Sequence, residues 1–173
     1  MRPITDQHEN VACKKLLAGL LDSTKLTDFE SEWITEHGWK VVPVEDTAHF
    51  APEEIQRLVP VLRNAGYSEC IAVATEPVAP GPEVYRLPVS EEGFRSFNAE
   101  CGMLRYLLTV EDRSWAISCG EWFNLFAGPP ALLEAMLGES IDAARVEFMD
   151  YARVMAADDD ELALIAAEHY ALL

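Results

Sequence analysis

MLRYLLTVEDRSWAISCGEWFNLFAG occupies residues 103–128. Met103 to Val110 is rich in apolar and aromatic side chains and reads as a strand. Glu111-Asp112-Arg113-Ser114 is a polar turn, Trp115 to Cys119 a returning strand, Gly120-Glu121 a second turn, and Trp122 to Phe126 a third strand. Short strands joined by short turns pair antiparallel, because parallel neighbours need a long crossover. The stretch therefore predicts a three-strand meander. Alternation places Trp115, Ile117 and Cys119 on one face, with Ala116 and Ser118 on the other. On the next strand Trp122, Asn124 and Phe126 oppose Phe123 and Leu125. Both faces of that strand carry bulky apolar groups. One is expected to pack under helices, and the other to be covered as well or to meet a partner.

Downstream, Gly128-Pro129-Pro130 launches a helix that runs through Leu137 and stops at Gly138. Ser140 caps a further helix to about residue 156, with Ile141, Phe148, Tyr151 and Met155 apolar. Asp158 to Glu161 start the last helix, where negative charge complements the helix dipole, and Leu162, Ile165 and Ala166 give it an apolar side.

Upstream, Ser90 caps a helix over Glu91 to Glu100 whose inner face holds Phe94, Phe97 and Cys101. Val84 to Leu87 is a short strand closed by Pro88, as at a sheet edge. Cys70 to Ala74 is a buried strand, followed by a stiff loop at Pro77, Pro80, Gly81 and Pro82. A helix from Pro52 to Gly66 buries Ile55, Leu58, Val59 and Leu62, and Pro60 within it predicts a kink. Trp39 to Val44 is a strand. A helix starts at Thr27, with Glu30 at capping-box spacing, and ends at Gly38. The first helix is expected over residues 6–21, capped by Thr5, with Val11, Leu16, Leu17, Leu20 and Leu21 in one stripe.

The order predicts an α+β fold: a single domain over 1–173, with a helical N-terminal part at about 1–38, a mixed, largely antiparallel sheet at about 39–127 and C-terminal helices at about 129–173. A chain of 173 residues buries enough surface to fold without a disulfide or metal.

Thirty Asp and Glu against thirteen Lys and Arg give a net charge of −17. Such a surface repels phosphate backbones and anionic membranes, so neither nucleic acid nor a membrane is an expected partner. It attracts a basic protein and speeds the encounter, and it also serves plain solubility. The N-terminus lacks the apolar core of a signal peptide, and no apolar run approaches the roughly 20 residues that span a bilayer. The expected location is the cytoplasm, with the four cysteines reduced.

Chemistry-bearing motifs are sparse. Cys119 ends a strand beside Gly120, where turn N–H groups are placed to hold an oxyanion. It needs a histidine to lower its pKa; His8, His37, His49 and His169 are the candidates, and His49 is the one favoured. Glu121 interrupts an aromatic region and, if buried, would be a general acid. With Tyr85, these make the candidate site of a small enzyme or ligand-binding domain between the meander and the 91–101 helix. A packed thiol and a solvated turn glutamate are the plainer readings of Cys119 and Glu121. The closest metal-ligand spacings, His8 with Cys13 and Glu36 with His37, match no zinc pattern, so no metal is expected. Glycine-rich phosphate loops and a GxSxG elbow are missing, and no cofactor is expected.

In composition and layout the chain is broadly similar to small bacterial immunity proteins, which neutralise toxins, and to phage and defence-island proteins. The charge of −17, the missing catalytic motifs and the aromatics beside acids lead to the expectation of an inhibitor or immunity-type protein that neutralises a basic partner, with Trp115, Trp122, Glu111, Asp112 and Glu121 as its acidic, aromatic binding surface. A third expectation is a homo-oligomeric assembly subunit, because Ala143, Ala144, Ala152, Ala156, Ala157, Ala163, Ala166 and Ala167 of the last two helices allow close approach of another copy.

Overall fold

Seven strands form one open antiparallel sheet in the order β1-β4-β3-β5-β6-β7-β2. The computed structural model describes residues 1–22, 28–45, 49–78, 81–102, 104–120, 122–157 and 161–171. The strands are β1 (Arg2–Pro3), β2 (Lys40–Glu45), β3 (Glu69–Ala74), β4 (Val84–Pro88), β5 (Tyr106–Thr109), β6 (Ala116–Cys119) and β7 (Phe123–Gly128). The described helices are α1 (Gln7–Lys14), α2 (Ser31–Glu36), α3 (Pro52–Asn64), α4 (Glu91–Cys101), α5 (Pro130–Leu137), α6 (Ile141–Ala157) and α7 (Leu162–Ala171). The fold is α+β.

The expected meander is present as β5-β6-β7, with Leu108 opposite Ile117 and Ile117 opposite Phe126. Because every pairing is antiparallel, β2 runs parallel to β3, and β4 parallel to β5. Each of these pairs is joined by a crossover helix, α3 and α4 respectively. Both helices cover the same face. There Ile55, Leu58 and Leu62 of α3 and Phe94 and Phe97 of α4 pack on Ala72, Leu108, Ile117 and Phe126. The other face buries Val41, Leu107, Ala116 and Leu125 under Leu21, Phe29, Ile34 and Tyr170. Under α1, Ile4 and Cys13 cover Ile71, Val73 and Val84. Both faces are therefore covered, which is why neither face of β7 reads as polar.

Several boundaries differ from expectation. The first helix ends at Lys14 rather than near residue 21, and its cap is Asp6, which accepts from the Glu9 N–H at 2.8 Å. Tight turns follow from Leu16 to Ala18, and Gly19 adopts φ +79°. The physical reason is that Cys13 and Leu16 pack on β3–β4, whereas Leu20 and Leu21 pack on the same face farther across the sheet, on β5–β7. One straight helix cannot point its stripe at both.

The helix expected from Thr27 begins at Ser31, with Glu30 at its N-cap and no side-chain cap bond; Thr27 itself lies outside the described residues. Phe29 precedes the helix and donates its N–H to the Tyr170 hydroxyl at 3.1 Å. β5 is shorter than Met103–Val110, and Met103 lies outside the described residues. Strand β4 is not the outermost, since Arg2 and Pro3 pair beside it. Pro60 sits inside α3, which is nevertheless one helix over Pro52–Asn64. It faces solvent, so the backbone carbonyl that loses its partner is free to meet water.

At the opposite edge, Arg145 Nη2 of α6 donates to the Val41 carbonyl of β2 at 3.1 Å. Val41 and Pro43 have the same parity, and Pro43 has no N–H to offer. The β2 edge is thereby closed to pairing by another strand.

Candidate functional site

The turn between β6 and β7 is built from its backbone outward. Gly120 donates its N–H to Asn124 Oδ1 at 3.2 Å. A side chain at 120 would overlap the Phe123 carbonyl oxygen, so the turn requires glycine there. Asn124 is fully buried, and its Nδ2 donates to the His49 carbonyl at 2.6 Å. His49 Nε2 lies 2.8 Å from the Cys101 carbonyl, which makes it the protonated ring nitrogen. These bonds hold His49 at φ +76°, an uncommon conformation for a residue with a side chain. From α6, the Tyr151 hydroxyl donates to the Trp122 carbonyl at 3.0 Å. Phe123 packs edge-on against Phe148 at 5.5 Å. With the backbone held from both sides, the Trp122 side chain projects from the turn and is 49% exposed.

Trp122 forms one wall of a groove of about 400 Å³ between the β6–β7 strands and α7. Ser118, Leu125 and Ala166 line its buried floor. Leu162, Ile165 and His169 of α7 lie on the helical stripe i, i+3, i+7 and line the opposite wall. Leu162 is 60% and Ile165 58% exposed, so they are available to a ligand. Alanines make the approach of α7 possible: Ala163 and Ala167 pack against Phe148 and Ala152 of α6. Tyr170 closes one end, and its bond from Phe29 fixes the neighbouring Asp28 at the rim. Burial raises the Tyr170 hydroxyl well above its ordinary pKa, and the Asp28 carboxylate adds to this. Arg105 lies at the groove as well.

Of the residues singled out in the sequence, the fold brings Cys119 and His49 to one buried neighbour: Asn124 stands opposite Cys119 across β6–β7 and donates to the His49 carbonyl. Cys119, His49 and Tyr85 are all buried, and the inner face of α4 packs directly onto the sheet where their site was expected. That space is filled by Phe94, Phe97, Cys101, Tyr106 and Phe126. Burial pushes the Cys101 thiol up to about 11 and raises the Tyr85 and Tyr106 hydroxyls. Groups held neutral in this way are poor nucleophiles and bases at neutral pH. Glu121 lies outside the described residues.

Trp115 is 0% exposed and packs edge-on against Tyr67, so it belongs to the core and not to a binding surface. Glu111 and Asp112 sit at the β5–β6 turn. Trp122 sits at the other end of β6, roughly 13 Å of strand away. Glu111 accepts from Arg86, and Asp112 from the N–H and hydroxyl of Ser114. They form no common surface with Trp122. Of the alanines expected to receive a second copy, Ala144, Ala152, Ala163, Ala166 and Ala167 are buried within the chain, Ala156 is partly buried, and Ala143 and Ala157 are exposed.

Sequence reasoning found Trp122 and missed the wall opposite. Leu162 and Ile165 read as an apolar side of the last helix, but nothing in the sequence sets that side opposite Trp122. The available signal was the run Leu162-Ala163-Leu164-Ile165-Ala166-Ala167, more apolar than one buried helix face requires.

Among the described residues, no group of three or more His, Cys, Asp or Glu is placed to hold a metal ion, and no helix is long and apolar enough to cross a membrane. Comparison with family models, curated proteins and solved structures finds no match to this chain.

Proposed function

We propose that the protein is a binding module for a basic protein partner, an inhibitor or immunity-type protein, and that the groove beside Trp122 anchors that partner. The observation that carries this reading is the gathering of Trp122, Leu162 and Ile165, three large and well-exposed apolar side chains, around one groove of an otherwise strongly acidic chain. Scattered surface apolar residues mean little, but a contiguous patch is characteristic of an interaction site. Tryptophan at the rim of such a patch supplies large contact area with few torsions to freeze. The charge of −17 supplies the other half: it draws a cationic partner in and disfavours acidic competitors.

The test is an affinity capture from host lysate at low and at high salt, with the wild-type chain and Trp122→Ala side by side. A basic protein retained in near-equal amount, weakened by salt and lost from the variant, is the expected result. Retention that ignores both salt and the substitution removes the proposal.

A further inference from the structure

We infer that the groove takes an amphipathic, basic segment of the partner, with apolar side chains seated between Trp122 and Ile165 and Lys or Arg side chains over the acidic flank of α7. The inference rests on the binding reading above and specifies what is bound. Size and shape come first. A groove of about 400 Å³ has more room than one side chain needs. Its upper walls stand half in solvent, so a small apolar molecule on the floor leaves Leu162 and Ile165 wet, whereas a polypeptide laid across the rim covers them.

Charge decides between kinds of polypeptide. Glu161, just before α7, and Glu168 within it each precede a groove-lining residue, Leu162 and His169, by one position. Both glutamates are exposed and are seven residues apart, so they repeat along one side of the lining stripe. Asp28 adds a carboxylate at the groove itself. Arg105, the cation among the lining residues, is outnumbered. A second copy of this chain would bring the same acids face to face at a net charge of −17 each. A segment with cationic residues beside its apolar ones matches the flank instead.

The test uses calorimetric titration of the full chain with three probes. One is a synthetic amphipathic peptide of leucine and lysine. Another is its counterpart with glutamine for leucine, of the same charge. The third is N-phenyl-1-naphthylamine, a neutral apolar molecule. Ile165→Lys is the blocking variant, since that side chain is exposed and the fold does not need it; circular dichroism checks that the fold is kept. A Glu161→Gln, Glu168→Gln double variant removes the flank. The expected result is binding of the leucine–lysine peptide, weakened about tenfold or more by Ile165→Lys, by loss of the leucines, and by the double variant. Equal binding of both peptides, unchanged in Ile165→Lys, overturns the groove inference while the basic-partner reading stands. Saturable binding of the naphthylamine without binding of the leucine–lysine peptide overturns it in favour of a small apolar ligand. Failure of both peptides and the naphthylamine to bind at low salt overturns the inference and the binding reading together.

Discussion

Asn124 ties the groove's turn to the start of α3 through one side chain. Its amide donates to the His49 carbonyl in a buried bond and accepts from the Gly120 N–H in a partly buried one. Asn124→Leu keeps the volume and removes both bonds, of which only the first is shut away from water. A buried bond lost in this way costs about 1–3 kcal/mol, so we expect the variant to lose about 1–3 kcal/mol in urea unfolding, with Trp122 no longer held in place. A loss below about 0.5 kcal/mol, the scale of a neutral surface change, would show that the turn holds itself. Cys101, on the far side of His49, gives a pH signature. Its thiol is raised from 9.0 to about 11 by burial, so the folded state keeps a proton that the unfolded chain releases. The stabilising term is complete below pH 9 and is lost as pH rises from 9 towards 11, with a limiting slope of about 1.4 kcal/mol per pH unit. Cys101→Ala should flatten the fall in stability across that window. An unchanged slope would mean that the buried tyrosines carry the whole alkaline loss.

Elements of the fold differ in how plainly the sequence announces them. The meander is legible because Ile117, Cys119 and Phe126 alternate with Ala116, Ser118 and Leu125, and Gly120 marks a turn where only glycine fits. Helix α4 is legible from Ser90, whose hydroxyl accepts from the Gly93 N–H at 3.0 Å. The first helix is misread because a continuous leucine stripe conceals two destinations on one face of the sheet, β3–β4 and β5–β7. The groove is half legible: Trp122 stands out in the chain, but its opposite wall comes from residues some forty positions later, and only the sheet's far edge and α6 bring α7 there. Pro60 is a different case, a residue at odds with its own element. Its face of α3 is solvent-exposed, so nothing buried depends on the ring. A proline inside a helix is about 3 kcal/mol worse than alanine, partly offset by the stiffer unfolded chain. Pro60→Ala should therefore stabilise by about 1–2 kcal/mol and raise the midpoint of thermal unfolding by roughly 3–6 °C. A lowered midpoint would mean that the proline sets the angle at which α3 reaches β3.

The whole molecule balances one cationic hub against a diffuse negative field. Arg86 of β4 binds Glu9 of α1, Glu69 of β3 and Glu111 of the β5–β6 turn, so a single guanidinium draws three separate parts of the chain together. These contacts raise its pKa further, chiefly through Glu69 and Glu9, and it stays charged at any pH at which the protein folds. Partly exposed pairs of this kind contribute about 0–1 kcal/mol each. Against them stands a net charge of −17, whose self-repulsion grows with the square of the charge and disfavours the compact state. Added salt weakens both terms, but unequally. The Arg86 bonds are short and partly shielded from solvent, whereas the repulsion acts between carboxylates farther apart than the Debye length of about 10 Å at 0.1 M. Sodium chloride should therefore raise the thermal midpoint between about 0.01 and 0.5 M, and Arg86→Gln, which is more negative still, should start lower and climb further. Chloride is the anion to use, because sulfate stabilises proteins by exclusion whatever their charge. A midpoint that falls with sodium chloride in the wild type but not in Arg86→Gln would reverse the order of the two terms. The acidic surface would then be locally neutralised, and its long-range pull on a basic partner correspondingly weak.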